Sequence, residues 1–353
     1  MKPPYKIQSL SEIKYSNGLK VISTFSGCGG SSSGYKLAGY DVIWANEFVD
    51  AAIKTYRENH ESTILNTKDI REIKPQDILD ETKLKVGDLD IFDGSPPCSS
   101  FSTSGARQKN WGKEKVYSDN VIQTTDDLFF EYIRLVKHIQ PKVFIAENVS
   151  GLVKGSSKGY FKIILEELKN CGYNVKAKLL NAAWLGVPQA RQRLIFIGIR
   201  NDFNSVPTFP KPLPYFYTIK DACPWIDKIK NIESLYVETE TDFSKTSLMP
   251  FWDSLQIGKS HKKRFDLTRT NPNLPCPTIT ASGGKRGLAS VSHPYEPRKF
   301  SIAEAKRLCS FPDDYKLTGT YEQKYERLGR SVPPMMMYQI AKNLEDNFFR
   351  NLK

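Results

Sequence analysis

Between Leu19 and Arg200, short apolar runs rich in β-branched residues alternate with segments whose apolar positions recur every three to four residues. The runs at 21–25, 42–45, 89–93, 143–146, 175–180 and 194–199 predict strands. Leu128, Phe129, Tyr132, Leu135, Val136 and Ile139 share one face of a predicted helix that Asp126 or Asp127 can cap and Pro141 closes. Strands alternating with helices predict βαβ units around a parallel sheet. The rhythm breaks where Pro207, Pro210, Pro212 and Pro214 interleave with Phe209, Tyr215, Phe216 and Tyr217, which places a domain boundary near residue 206. Residues 206–324 read as irregular, with short strands and loops. Helical spacing returns through Met336, Ile340, Leu344 and Phe348, after Pro333 and Pro334, which suit a helix start.

A length of 353 residues fits one large and one smaller domain. With 39% hydrophobic and 25% charged residues the chain can bury a core, which excludes wholesale disorder. No apolar stretch approaches the roughly 20 residues a bilayer span needs, and the first residues lack the apolar core of a secretory signal, so a cytoplasmic protein is expected. Its six cysteines form no Cys-x-x-Cys pair, and its four histidines show no metal-ligand spacing. Neither a disulfide framework nor metal catalysis is suggested.

The net charge of +12 is unevenly spread. Between Gln256 and Phe300, Lys259, Lys262, Lys263, Arg264, Arg269, Lys285, Arg286, Arg298 and Lys299 face only Asp266 and Glu296, a local net of +7. Such clustering is the footprint expected for a polyanion, most simply nucleic acid; a solvated basic face is the alternative.

Four segments carry candidate chemistry. The first strand runs into Phe25-Ser26-Gly27-Cys28-Gly29-Gly30, a turn where backbone can approach a ligand and a helix can begin. Gly-x-Gly-x-x-Gly is not met, because Ser32 stands at its third glycine, but Glu47 lies 20 residues past Gly27, suited to ribose hydroxyls, with the Phe48 ring beside it for a purine. A nucleoside without a pyrophosphate fits better than a dinucleotide. The strand at 89–93 leads to Pro96-Pro97-Cys98-Ser99-Ser100, where a thiol could act as a nucleophile if its ionisation is assisted. Glu147 ends another strand and can share a proton with a heterocycle. Arg191 and Arg193, two apart on an extended segment, put two guanidinium groups on one side, suited to a phosphate and a carbonyl oxygen.

In this order, the glycine turn, Pro96-Pro97-Cys98, Glu147-Asn148-Val149, Gln189-Ala190-Arg191-Gln192-Arg193, a basic segment, Pro277-Thr278-Ile279-Thr280 and Gly329-Arg330-Ser331-Val332 resemble the cytosine carbon-5 DNA methyltransferases, bacterial restriction-modification type, over about residues 19–344. The resemblance implies an α/β fold: a doubly wound, mostly parallel, Rossmann-like sheet of S-adenosylmethionine-dependent methyltransferases in residues 1–205 and 325–353, with a smaller irregular target-recognition domain and hinge at 206–324. It implies Cys98 as the nucleophile toward carbon 6 of a flipped cytosine, Glu147 on the ring nitrogen and amine, Arg193 on the carbonyl oxygen and Arg191 nearer the backbone. Phe25, Gly27, Gly29, Glu47, Phe48, Asp69, Ile70, Pro97, Leu128, Arg330 and Ser331 fall at cofactor positions. S-adenosylmethionine is the implied cofactor, S-adenosylhomocysteine the product, with no metal. Ser99, Ser102, Lys262, Lys263, Arg264, Lys285 and Arg286 are the implied contacts to double-stranded DNA. A monomer is implied, with a cognate restriction endonuclease acting on the same site as the natural partner.

One residue departs from the pattern. The family's Gly-Asn-x-Val reads Gly329-Arg330-Ser331-Val332 here, and a cation at 330 either repels the cofactor's sulfonium or points outward to a carboxylate. Two alternatives follow: methylation of RNA cytosine, and a catalytically weakened DNA-binding homologue.

Overall fold

A computed structural model of the chain describes residues 2–97, 114–116, 122–124, 127–153, 158–227, 242, 244, 246–264, 267–285 and 290–352. The chain packs as two compact units. The first, here the sheet unit, comprises Ile13–Leu180, Gln192–Lys211 and Met337–Lys353. The second, the loop unit, comprises Met1–Glu12, Asn181–Arg191 and Pro212–Met336.

In the sheet unit, the strands are β1 (Lys20–Thr24), β2 (Asp41–Asn46), β3 (Ile64–Asn66), β4 (Ile91–Gly94), β5 (Val143–Val149), β6 (Tyr173–Asn181) and β7 (Gln192–Arg200). They form one sheet in the order β3-β2-β1-β4-β5-β7-β6. The pairs β2 with β3, β1 with β2, β1 with β4 and β4 with β5 are parallel, and β7 runs antiparallel to β5. The order reverses beside β1 and β4, the place where open α/β sheets leave room for a ligand at their strands' carboxyl ends. Central strands buried on both faces read as continuous apolar runs, which is why 21–25 and 143–146 were legible. Of the seven strands in this sheet, β3, three residues long, carries too little pattern to be predicted.

The helices are α1 (Gly30–Leu37), α2 (Asp50–Asn59), α3 (Pro75–Thr82), α4 (Leu128–Ile139) and α5 (Lys158–Asn170). α4 matches its predicted span, and its apolar face enters a core with Trp44, Phe92, Phe144 and Phe196. Asp127 is its N-cap residue, but the carboxylate makes no cap bond and instead takes Arg71, at 2.6 Å. The Tyr132 hydroxyl reaches the carbonyls of Phe92 (3.1 Å) and Ile145 (2.9 Å), pinning α4 to adjacent strands. Gly94 makes this possible: a Cβ there would lie 2.6 Å from both the Tyr132 ring and the Thr24 hydroxyl.

The loop unit is irregular, as predicted for 206–324, apart from one-turn helices at Ile219–Ala222 and Met249–Asp253 and the longer α6 (Ile302–Leu308) and α7 (Tyr321–Arg330). Both start at capping boxes, Ser301 with Glu304 and Thr320 with Gln323, a spacing present in the sequence. α8 (Pro334–Asn347) begins at the second of the two prolines. Two-residue strands pair Gln189–Ala190 with Cys276–Pro277, and Thr268–Arg269 with Val291–Ser292.

Buried cations brace these loops. Arg298 is 3% exposed and makes paired bonds to Glu304 at 2.8 and 2.9 Å. Lys299 is buried and donates to the Lys285 carbonyl at 2.7 Å, and burial pulls its ammonium down to about 8. The Arg269 guanidinium lies 4.0 Å from the centre of the Trp252 ring and donates to the carbonyls of Pro294 and Leu255. The local charge of +7 therefore overstates the surface field: Arg269, Arg298 and Lys299 serve the interior, and only part of the segment faces solvent. No helix among the described residues is long and apolar enough to cross a membrane.

Candidate active site

The glycine turn leaves β1 through Phe25, whose φ of 52° is costly for a bulky residue and marks a constrained segment. Gly27 and Gly29 also have positive φ, 57° and 86°, and Gly29 is the N-cap of α1. A Cβ at Gly27 would meet nothing within 4 Å, so the backbone there is open to a ligand. Glu47, at the end of β2, closes the turn: its carboxylate accepts from the backbone N–H of Gly27 (2.6 Å), Phe48 (2.8 Å) and Val49 (2.8 Å). A carboxylate offers about four acceptor positions, so one remains for a ribose hydroxyl. Phe48 is half-buried against Val49 and Ala52.

Asp69 caps the short turn Ile70–Glu72, accepting from Arg71 N–H at 3.0 Å, and its carboxylate meets the Arg71 guanidinium at 3.0 Å. Ile70 and Leu128 are buried members of the main core. Pro97 is half-buried; Cys98, Ser99, Ser102 and Arg286 lie outside the described residues.

At the ends of β5 and β7, Glu147 and Arg193 meet at 2.6 Å, both largely buried. Register explains the contact: Arg193 pairs with Val149, so Glu147 is its diagonal neighbour on the same face of the antiparallel pair. Burial pulls the Arg193 guanidinium below its usual range, and the Glu147 charge opposes this. Asn148 points to the opposite face, where its amide donates to the Pro96 carbonyl at 3.2 Å. It thus holds the approach to Cys98, a role the sequence left unassigned.

Arg191 behaves differently from Arg193. Strand pairing is interrupted at Arg191, so alternation does not carry across, and the expectation of two guanidinium groups on one side fails. Arg191 is 1% exposed and donates to the carbonyls of Ile279 (3.1 Å) and Gly329 (2.9 Å) within the loop unit. Gln189 joins it, accepting from Ile279 N–H at 3.2 Å and donating to the Leu308 carbonyl at 3.3 Å. The segment 277–280 is held by this clamp. Arg330 turns to Glu326 one helical turn back, with Nε 2.7 Å from its carboxylate, and Ser331 donates to the Leu328 carbonyl. Of the two orientations open to Arg330, pairing with a carboxylate is the one present. Lys262, Lys263 and Lys285 are exposed, and Arg264 is half-buried beside the Phe251 ring.

A family model described as C-5 cytosine-specific DNA methylase matches residues 19–346. Type II methyltransferase M.NgoFVII of Neisseria gonorrhoeae is 32% identical over 352 residues, covering 95% of this chain and 89% of that protein. Type II methyltransferase M.FnuDI of Fusobacterium nucleatum is 31% identical, covering 93% and 94%. Among solved structures, a putative DNA modification methyltransferase encoded within a prophage of E. coli superposes with a TM-score of 0.71 at 24% identity, over 94% of this chain and all of the other, a likeness of fold.

Proposed function

The chain belongs to the C-5 cytosine-specific DNA methylases, and we propose that it moves a methyl group from S-adenosylmethionine to carbon 5 of one cytosine, turned out of a specific duplex sequence and bonded meanwhile to Cys98. It is a DNA methyltransferase of the restriction-modification type. The observation that carries the reading is the contact of Glu147 with Arg193 at 2.6 Å. In the resting chain the two charges satisfy each other. A cytosine edge carries both a donor, the exocyclic amine, and an acceptor, the ring carbonyl, so it can offer Glu147 and Arg193 one hydrogen bond each.

The turn at 27–30 fits the cofactor, with open backbone at Gly27 and one acceptor position left on Glu47. Phe25, Gly27, Gly29, Glu47, Phe48, Asp69, Ile70, Pro97 and Leu128 are the residues we assign to it; Arg330 and Ser331, engaged with Glu326 and the Leu328 carbonyl, are left out of that set. When bound, S-adenosylmethionine supplies a methyl group already activated by a sulfonium. The chain's own residues do the rest. The Cys98 thiolate bonds to carbon 6, and the displaced electron pair makes carbon 5 nucleophilic; a proton held between Glu147 and the ring nitrogen neutralises the negative charge that develops there, and the Arg193 guanidinium stabilises the carbonyl oxygen. After methylation, water takes the carbon-5 proton, the C5–H electron pair re-forms the C5–C6 double bond, and the S–C6 bond breaks to free the thiolate. Turning the base out of the stack is what lets these side chains reach both faces of the ring.

Exposed Lys262, Lys263 and Lys285, with Arg264, Arg286, Ser99 and Ser102, are assigned to the DNA, and residues 206–324 to target recognition. A restriction endonuclease cutting the same site is the corresponding partner.

The test is incubation of the full chain with methyl-labelled S-adenosylmethionine and either duplex DNA or transfer RNA, followed by bisulfite sequencing and by trapping on duplex containing 5-fluorocytosine. Methylation at carbon 5 within one DNA sequence, and a denaturation-resistant complex through Cys98, are expected. Label in RNA alone, or in DNA without a covalent complex, refutes the reading.

A further inference from the structure

Asp93, the next-to-last residue of β4, lies five residues before Cys98 in the sequence and is 1% exposed, although nothing in the reaction above uses it. Its Oδ2 accepts from the hydroxyls of Ser31 (2.8 Å) and Ser23 (3.1 Å), and its Oδ1 from the Tyr35 hydroxyl (3.2 Å). Ser23 is its parallel neighbour on β1, and the Asp93 carbonyl accepts from the Thr24 hydroxyl. Ser31 and Tyr35 lie on α1, the helix that the turn at 27–30 opens. One carboxyl thus joins three parts: the strand that enters the turn, the helix that leaves it, and the strand that leads toward Cys98.

A buried carboxyl is costly, and an amide of the same size would cost less, so the charge invites a reason. All three side-chain donors are neutral hydroxyls. The titratable groups that face it are Tyr35 on α1, Tyr56 on α2, Tyr132 on α4 and Glu147 on β5. Burial pushes the Asp93 carboxyl up to about 7; its three hydrogen bonds oppose this, and the Glu147 charge reinforces it.

We propose that Asp93 is a positioning residue for cofactor binding, fixing the turn at 27–30 to β4 through Ser31 and Ser23 so that the turn is preformed for the cofactor. This rests on the assignment of that turn to S-adenosylmethionine. An ionised Asp93 accepts from all three hydroxyls. A protonated one carries a donor of its own and no charge, so one hydroxyl must reverse from donor to acceptor, the remaining bonds weaken, and the tie to α1 loosens.

The test is calorimetric affinity for S-adenosylmethionine from pH 5.5 to 8.5, with kcat at saturating cofactor, for the full chain and for Asp93→Asn and Ser31→Ala. Affinity of the unaltered chain is expected to weaken as pH falls through neutrality. Asp93→Asn is expected to bind about tenfold more weakly at pH 8, the worth of one hydrogen bond to a charged group, and to lose the pH dependence. Ser31→Ala, which keeps the carboxyl, is expected to weaken binding several-fold, and kcat at saturation to stay within about threefold in both. If Asp93→Asn does not fold, Ser31→Ala decides. Affinity equal to that of the unaltered chain in the variants, or weak binding of Asp93→Asn that keeps the original pH slope, overturns the proposal. A chain that binds no S-adenosylmethionine at any pH defeats the cofactor assignment instead.

Discussion

Two residues apart, Arg191 and Arg193 belong to differently built regions. Arg193 stands on β7 and meets Glu147 because strand register puts them diagonally opposite. Arg191 stands in the loop unit and spends its guanidinium on the carbonyls of Ile279 and Gly329. In the sheet unit, apolar burial and backbone pairing fix most of the frame, with Arg134 and Arg200 donating to carbonyls at its loops, and Glu147 and Arg193 are left to present chemistry. The loop unit has little regular pairing, so long cations do the bracing, as Arg298, Lys299 and Arg269 also do. One side-chain type thus has opposite duties, decided by how the backbone around it is held.

The sharpest contrast is expected from Cys98→Ser, which should abolish methyl transfer while leaving DNA affinity within about tenfold, since the thiolate serves chemistry rather than docking. Labelled-methyl transfer and a gel-shift titration on the same preparation check it; residual turnover close to that of the unaltered chain breaks the mechanism.

Arg191→Leu should behave in the opposite way. It removes two buried hydrogen bonds from a charged group, each contributing about 1.5 kcal/mol or more, so a loss near 3 kcal/mol of stability is expected. Urea unfolding measures this. A variant that unfolds like the unaltered chain but turns over slowly would show that Arg191 belongs with the chemistry, and the contrast between the two arginines would fall.

His293 tests the interior of the loop unit by pH. Its Nδ1 accepts from the N–H groups of Tyr295 and Glu296, and burial, then Arg298 and Arg269, push it down to about 2. The unfolded chain takes up a proton near pH 6.5 and the folded one does not. The stability this contributes is complete above about pH 6.5 and is lost as pH falls below it, by about 1.4 kcal/mol per unit. His293→Asn should remove one proton from the slope of stability between pH 6 and 4, and an unchanged slope contradicts the assignment.

A smaller effect is expected at the exposed cations. Lys262→Gln should weaken binding to all DNA sequences alike and lower the salt slope by about one unit, whereas Lys299, turned inward, makes no such contribution. A salt slope unmoved by Lys262→Gln removes that residue from the DNA surface.

Arg330→Asn should matter least. Its guanidinium is partly exposed and paired with Glu326, so cofactor affinity and turnover are expected to stay within about twofold. A larger gain in either would mean that the cation reaches the cofactor after all.

Much of this was legible in the sequence because it depends on neighbours along the chain. Doubly buried strands, the helix at 128–139 and the glycine turn each follow from local pattern and backbone freedom, and the order of the motifs carries the family. The capping boxes of α6 and α7 were equally local, and the irregular texture around them hid them. Which way a long cation points is not local. Lys285 and Lys299 belong to the same basic run, yet one is exposed and the other donates into the interior, because a carbonyl 14 residues away lies within its reach. Asp93 is the same lesson with the sign reversed: in the sequence it is one acidic residue ending an apolar run, and only the parallel register with Ser23 and the start of α1 surround it with hydroxyls. The sequence determined the strands, the helices and the chemical groups that close them; the tertiary structure decided which of those groups face each other, since burial and partnership arise from contacts between segments far apart in the chain.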